Sequence, residues 1–137
     1  MKKITVAVCL DKEDGMLFNN RRQSRDRILT ADLFDTAGGK VYAQHFSGKL
    51  LKDYEGAVLC DDPITDCPDG GLAFIENVPL KDKLCFIDKI IVYRWNRLYP
   101  ADVYFDVDLK AEGFKLREKT DFAGSSHEKI TKGVYRR

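Results

Sequence analysis

The sequence predicts an α/β fold: a mostly parallel sheet with helices on both faces and an antiparallel hairpin at its C-terminal end. Short apolar runs without alternation, such as Ile4-Thr5-Val6-Ala7-Val8-Cys9-Leu10 and Ile87 through Trp95, read as strands buried on both faces. Stretches with helical spacing lie between such runs, so strands and helices alternate along the chain. The last third differs. Phe114-Lys115-Leu116-Arg117-Glu118 and Ile130-Thr131-Lys132-Gly133-Val134 alternate apolar and polar residues, as half-exposed strands do.

Each element has its own signal. Met1-Lys2-Lys3 before the first apolar run looks like the start of a secretory signal. That run stops at Asp11-Lys12-Glu13-Asp14 with no small-residue cleavage site, so we read a buried strand and expect a cytoplasmic protein. Asp11 to Gly15 reads as a turn or loop, continuing through Asn19-Asn20-Arg21-Arg22. Ser24 is the expected N-cap of the first helix. Leu29 and Leu33, then Leu33 and Ala37, are spaced i, i+4, and Ile28, Ala31 and Phe34 widen the stripe, predicting about three helical turns. Gly38-Gly39 ends them, because glycine takes the left-handed cap conformation at little cost. Lys40 to Gln44 reads as a strand, and Ser47 as the cap of a short helix from Gly48 to Lys52. Ala57 to Cys60 and Leu72 to Ile75 are further strands, separated by a loop from Asp61 to Gly71 rich in Asp, Pro and Gly. Pro79 opens a short helix from Leu80 to Phe86, since proline suits the first helical turn. Gly124-Ser125-Ser126 separates the two alternating segments and makes them a hairpin.

Composition narrows the function classes. A chain of 137 residues suits one domain, residues 1–137, with a sizeable core. With 23 basic and 22 acidic side chains the net charge is +1, which disfavours nucleic acid as a general partner. No apolar run approaches the roughly 18–20 residues that span a bilayer, so no membrane partner is expected. Nothing in the sequence indicates an oligomeric state. The cysteines, Cys9, Cys60, Cys67 and Cys85, form no C-x-x-C pair, which argues against a metal site. Cys9, Cys60 and Cys85 lie in apolar runs and are expected to be buried; Cys67 falls in a loop and could react, with nothing nearby that lowers its pKa.

The order of elements, with certain residues, resembles dihydrofolate reductase. Ile4 to Leu10 and then Asp11 to Gly15 look like that family's first strand and mobile loop, and Gly39-Lys40-Val41-Tyr42 is similar to its Gly-Lys-Pro-Val strand start. Ser47 falls where a threonine caps the next helix. Ile87-Asp88-Lys89-Ile90-Ile91-Val92 followed by Ala101-Asp102-Val103-Tyr104-Phe105 is similar to the family's "D-x-I/L-x-L-T" and "G-D-T-x-F" pair at the same separation. Phe114 to Thr120 and His127 to Tyr135 match the closing hairpin. The resemblance implies a dihydrofolate-reductase-like sheet over nearly the whole chain, and the feature to look for in a structure is whether a cleft exists between Ala7, Asp26 and Tyr93.

Departures from that family bear on activity. The carboxylate that protonates the pterin has Asp26 as its nearest match, out of register when counted back from Lys40; the tryptophan and proline that precede it give way to Arg21, Arg22 and Gln23. The assisting threonine aligns with Tyr93. The glycine pair beside the cofactor's pyrophosphate aligns with Ile75-Glu76-Asn77, where a glutamate repels phosphate and lacks glycine's freedom. The basic residue after the second strand becomes His45. Cys60-Asp61-Asp62 stands where the ribose 2′-phosphate is received. Pro63 to Gly71 is too short for the strand and helix the family places there. Together these changes imply a degenerate NADPH site and no cofactor. Arg21 to Ser24 and Gly124 to Thr131 also resemble segments of a small bacterial group sometimes labelled ribonuclease Z. That enzyme class needs an H-x-H-x-D-H cluster for zinc, and this chain has 2 histidines, His45 and His127.

Candidate chemistry gathers in a few places. Arg21, Arg22, Arg25 and Arg27 enter the first helix and suit a phosphate or carboxylate; the alternative is a solvated face balanced by Asp26, Asp32 and Asp35. Asp26 is a candidate proton donor if its pKa is raised in a closed cleft, or else a first-turn aspartate stabilised by the helix dipole. Gly124-Ser125-Ser126-His127-Glu128 invites a Ser-His-acid reading, but a triad needs side chains converging from separate elements, and a polar hairpin loop is the simpler account. His45 sits at the end of a strand, where open α/β sheets bind ligands, or is a structural histidine. Tyr93-Arg94-Trp95-Asn96-Arg97 and Tyr99 interleave aromatics and bases as single-stranded nucleic-acid sites do, or are a core strand running out to its exposed end. The expectation is a diverged reductase-like domain without ordinary NADPH-dependent folate reduction. It binds a small anionic or heterocyclic ligand through Ala7, Arg21, Arg22, His45, Ser47 and Tyr93. A reductase with an altered nicotinamide site using Asp26, and a nucleic-acid or protein interaction module, are the alternatives.

Overall fold

The computed structural model describes residues 2–137. In chain order its strands are β1 (Ile4–Leu10), β2 (Gly15–Phe18), β3 (Arg21–Arg22), β4 (Val41–Gln44), β5 (Ala57–Cys60), β6 (Leu72–Phe74), β7 (Ile87–Arg94), β8 (Val103–Tyr104), β9 (Lys115–Phe122) and β10 (Ile130–Arg136). The helices are α1 (Arg27–Thr36), α2 (Gly48–Leu51) and α3 (Pro63–Asp66), with 3₁₀ turns at His45–Ser47 and Lys81–Phe86. The main sheet has the order β5-β4-β6-β1-β7-β10-β9. Its first five strands are parallel; β10 runs antiparallel to β7 and β9 antiparallel to β10. This is the predicted mostly parallel sheet with its C-terminal hairpin.

The unbroken apolar character of β1 has a simple cause, since both of its faces are covered. Ile4, Val6, Val8 and Leu10 pack into one core with Ile64 of α3 and Leu80 and Leu84 near the second 3₁₀ turn. Ala7 faces the other core with Leu29, Leu33 and Phe34 of α1 and Leu51 of α2. β9 is an exposed edge, and its charged sequence KLREKTDF discourages pairing with another chain.

Local chemistry moves several expected boundaries. Asp26, not Ser24, caps α1: its backbone is extended and its carboxylate accepts from the Ile28 and Leu29 amides. Ser47 caps nothing, because its hydroxyl is spent on Glu76. The loop from Asp61 to Gly71 contains α3, started by Asp62 accepting from Thr65 N and by Pro63 in the first turn. The helix expected over Leu80–Phe86 is a 3₁₀ turn whose first amides, at Leu80 and Lys81, are held by the Asp106 carboxylate at 3.0–3.1 Å. The segment read as a loop after β1 contains β2 and β3, joined through Asn19 and Asn20, both at positive φ (52° and 59°). Asparagine tolerates that region, and two such residues in a row make the tight turn that suits a hairpin. β8 completes this small sheet against β2. Two of the cysteines differ from the reading, while Cys9 and Cys60 are half-buried. Cys67 is buried, with burial pushing its thiol up to about 11, while Cys85 is exposed.

Candidate functional site

Asp26 joins two remote parts of the chain. Its Oδ1 accepts from the amides of Ile28 (3.0 Å), Leu29 (3.2 Å) and Ser125 (3.0 Å). Oδ2 accepts from the amide of Ser126 (2.8 Å) and lies 3.1 Å from His127 Nδ1. The carboxylate therefore caps α1 and pins the β9–β10 connection to it. Burial alone pushes this carboxyl up, but the Ser126 and Ser125 amides, the His127 ring and the Leu29 amide outweigh it and hold the group far below the usual carboxylate range. That is the opposite of the raised pKa a proton donor at neutral pH needs.

His127 is 5% exposed and stacks on Trp95, with ring centroids 4.6 Å apart. Nδ1 faces the carboxylate, the arrangement that favours the tautomer with its proton on Nδ1. Nε2 lies 3.0 Å from Ser24 Oγ and 3.1 Å from the Tyr99 hydroxyl.

A second junction lies at the C-terminal end of β6. Glu76 receives Arg22 through both oxygens (Nε–Oε2 2.7 Å, NH2–Oε1 2.8 Å) and the Ser47 hydroxyl at 2.6 Å. The β2–β3 hairpin is what delivers Arg22 there, and its guanidinium also covers the Phe46 ring at 5.3 Å. The negative charge at Glu76 is thus met from within the protein.

Between these junctions lies an inner chamber lined by Cys9, Leu33, Phe74, Glu76 and Trp95, with about 20 Å³ of space, room for about one water molecule. Outside it a broad open cleft of about 1490 Å³ runs between the entry to α1 and α2. Arg21, Arg22, Arg25, Arg27, Lys49 and Lys52 line it, against the acidic Asp26 and Asp53. Ser24, Arg25, Asp26 and Thr30 border both spaces.

The sequence candidates divide accordingly. Arg21, Arg22 and Asp26 come together at the cleft, and Ser47 joins them through Glu76. Ala7 is fully buried beneath α1. Tyr93 is also fully buried, and its hydroxyl donates to Asp32 at 2.6 Å. Burial first, then that carboxylate, pushes the Tyr93 phenol far up. His45 is exposed, 3.5 Å from Asp61. Ser24 and Glu76 were not among the ligand-binding candidates, and Trp95 and Tyr99 were singled out only in the aromatic–basic stretch; the hairpin-loop motif around His127 was the available signal, and its partners Ser24 and Asp26 lie about a hundred residues away. Among the described residues no cluster of three or more His, Cys, Asp or Glu is placed to hold a metal ion, and no helix is long and apolar enough to cross a membrane.

No protein-family model and no curated protein matches the sequence. In structure the chain is similar to a dihydrofolate reductase from Enterococcus faecalis, complexed with NADP(H) and RAB-propyl. The TM-score is 0.69 at 8% sequence identity, covering 98% of this chain and 96% of that one. The chain has a dihydrofolate-reductase-like α/β fold.

Proposed function

We propose that this chain is a diverged reductase-like domain that binds a small anionic ligand in the basic cleft and does not carry out ordinary NADPH-dependent folate reduction. The observation that carries the reading is the pairing of a cleft lined by five basic side chains besides Arg22 with a β6 end locked by Arg22, Glu76 and Ser47. Where the resemblance places a glycine pair against pyrophosphate, this chain holds a bulky, internally satisfied ion pair. The basic side chains lining the cleft, rather than its size, favour an anion over a neutral heterocycle. Arg25 and Arg27 carry guanidinium groups suited to bidentate recognition of carboxylate or phosphate.

Calorimetric titration with citrate and with pyrophosphate tests this. Saturable binding is expected, weakening as salt rises from about 50 to 200 mM and reduced at least about tenfold by Arg25→Ala with Arg27→Ala. Absence of binding at low salt contradicts the reading, as does steady NADPH oxidation in the presence of dihydrofolate.

A further inference from the structure

The contacts of His127 form a chain with direction: carboxylate, imidazole, hydroxyl. Asp26 Oδ2 meets Nδ1 at 3.1 Å, and Nε2 meets Ser24 Oγ at 3.0 Å. His127, on the β9–β10 connection, is brought from about a hundred residues away onto the entry to α1, which supplies both Ser24 and Asp26. Ser126, adjacent to His127 in sequence, meets the ring at Nδ1 (3.1 Å) and not at Nε2. Asp26 and His127 are almost completely buried, whereas Ser24 is only partly covered and borders both the inner chamber and the basic cleft.

We infer that Ser24 is a nucleophile, activated by His127 and oriented through Asp26, for hydrolysis of carboxylic esters that carry an anionic group. Ser24 Oγ attacks the ester carbonyl carbon while its proton passes to His127 Nε2. The carbon–oxygen bond to the leaving group then breaks, the Nε2 proton goes to the departing alkoxide, and an alcohol and an acyl-Ser24 result. Water, deprotonated by Nε2, attacks the acyl carbon. The bond to Ser24 Oγ breaks, Oγ recovers the proton, and the acid leaves; no redox partner is needed. Asp26 holds the imidazole in the tautomer that accepts at Nε2, and Trp95 stacked on the ring stabilises it when charged. Tyr99 is the second hydroxyl on Nε2 and steadies the ring in the resting site, yielding the single Nε2 lone pair to water in deacylation. Arg25, bordering both spaces beside Ser24, supplies a cationic donor for the developing oxyanion. The anionic substrate class rests on the proposed cleft; the nucleophile does not.

The test uses the intact protein with a fluorophosphonate reagent, followed by intact mass and peptide mapping. The expected result is one adduct per chain, on Ser24, absent in Ser24→Ala and formed roughly 100-fold or more slowly in His127→Gln. The wild-type map decides alone if either variant fails to fold. No adduct, or an adduct on another residue, overturns the proposal. Hydrolysis of 4-nitrophenyl succinate against 4-nitrophenyl acetate then reads the cleft. Faster turnover of the succinate is expected, and equal turnover with Ser24 labelled overturns the anionic substrate class while leaving the nucleophile standing.

Discussion

Asp26 carries more structure than any other single side chain near the cleft. Its two oxygens serve the first turn of α1, the amides of Ser125 and Ser126, and His127. Replacing it by alanine removes a helix cap, at about 1 kcal/mol, and strands buried donors at about 1–3 kcal/mol each. A urea titration of Asp26→Ala is therefore expected to show a loss of about 3–5 kcal/mol. Acid acts on the same group. Asp26 ionises at lower pH in the folded protein than in the unfolded chain, so its contribution is complete above the unfolded value of about 3.9 and declines as pH falls through the folded one. Asp11, buried and held down by the Gly15 and Glu13 amides against the effect of burial, adds in the same direction. The urea midpoint is expected to hold from pH 7 to about 5 and to drop on further acidification, with a shallower drop in Asp26→Asn. At this scale the sequence was partly legible. Arg21, Arg22 and Asp26 stand out, but Ser24 looks as good a cap as Asp26. The choice was made by donors about a hundred residues away, which no local pattern announces.

Among the elements, the β2–β3 hairpin decides the shape of the site, because it carries Arg22 to the end of β6. The Arg22–Glu76 pair is largely buried, so removing one partner leaves the other without its counter-charge. Arg22→Ala and Glu76→Ala are each expected to cost about 2–4 kcal/mol. The double variant should cost less than the sum, with a coupling of about 1–2 kcal/mol in a urea-unfolding cycle. Additive effects would show that the pair does not tie the hairpin to the sheet. The connection between β9 and β10 depends on Gly124 in a similar way: an added Cβ would lie 2.8 Å from Asp26 Cγ and 2.9 Å from Ile130 Cδ1. Gly124→Ala is expected to lift the loop from α1 and weaken the near-ultraviolet circular dichroism of the Trp95–His127 stack. Long elements with strong periodicity, β1, α1, β7 and the C-terminal hairpin, could be read from the sequence because burial on two faces, one face or alternate residues leaves a mark. β2, β3 and β8 could not, being only two to four residues long, with β8 paired to β2 across the chain. The Asn19-Asn20 turn was the one signal available.

For the whole molecule, 8% identity over nearly the full length shows how little of a sequence the sheet order demands. What it demands is the placement of apolar runs, and those were visible. The charges at the rim are free to change, and here they gather as a basic cleft on one side and the Arg22–Glu76–Ser47 lock on the other. Nuclear magnetic resonance mapping of backbone amides separates these sides most directly. Adding citrate is expected to shift amides within Arg21–Arg27 and Lys49–Tyr54, and the phosphates of NADPH should perturb those same residues. Saturable NADPH shifts along Ile75–Val78 and Cys60–Asp62, with the basic cleft untouched, would contradict the account.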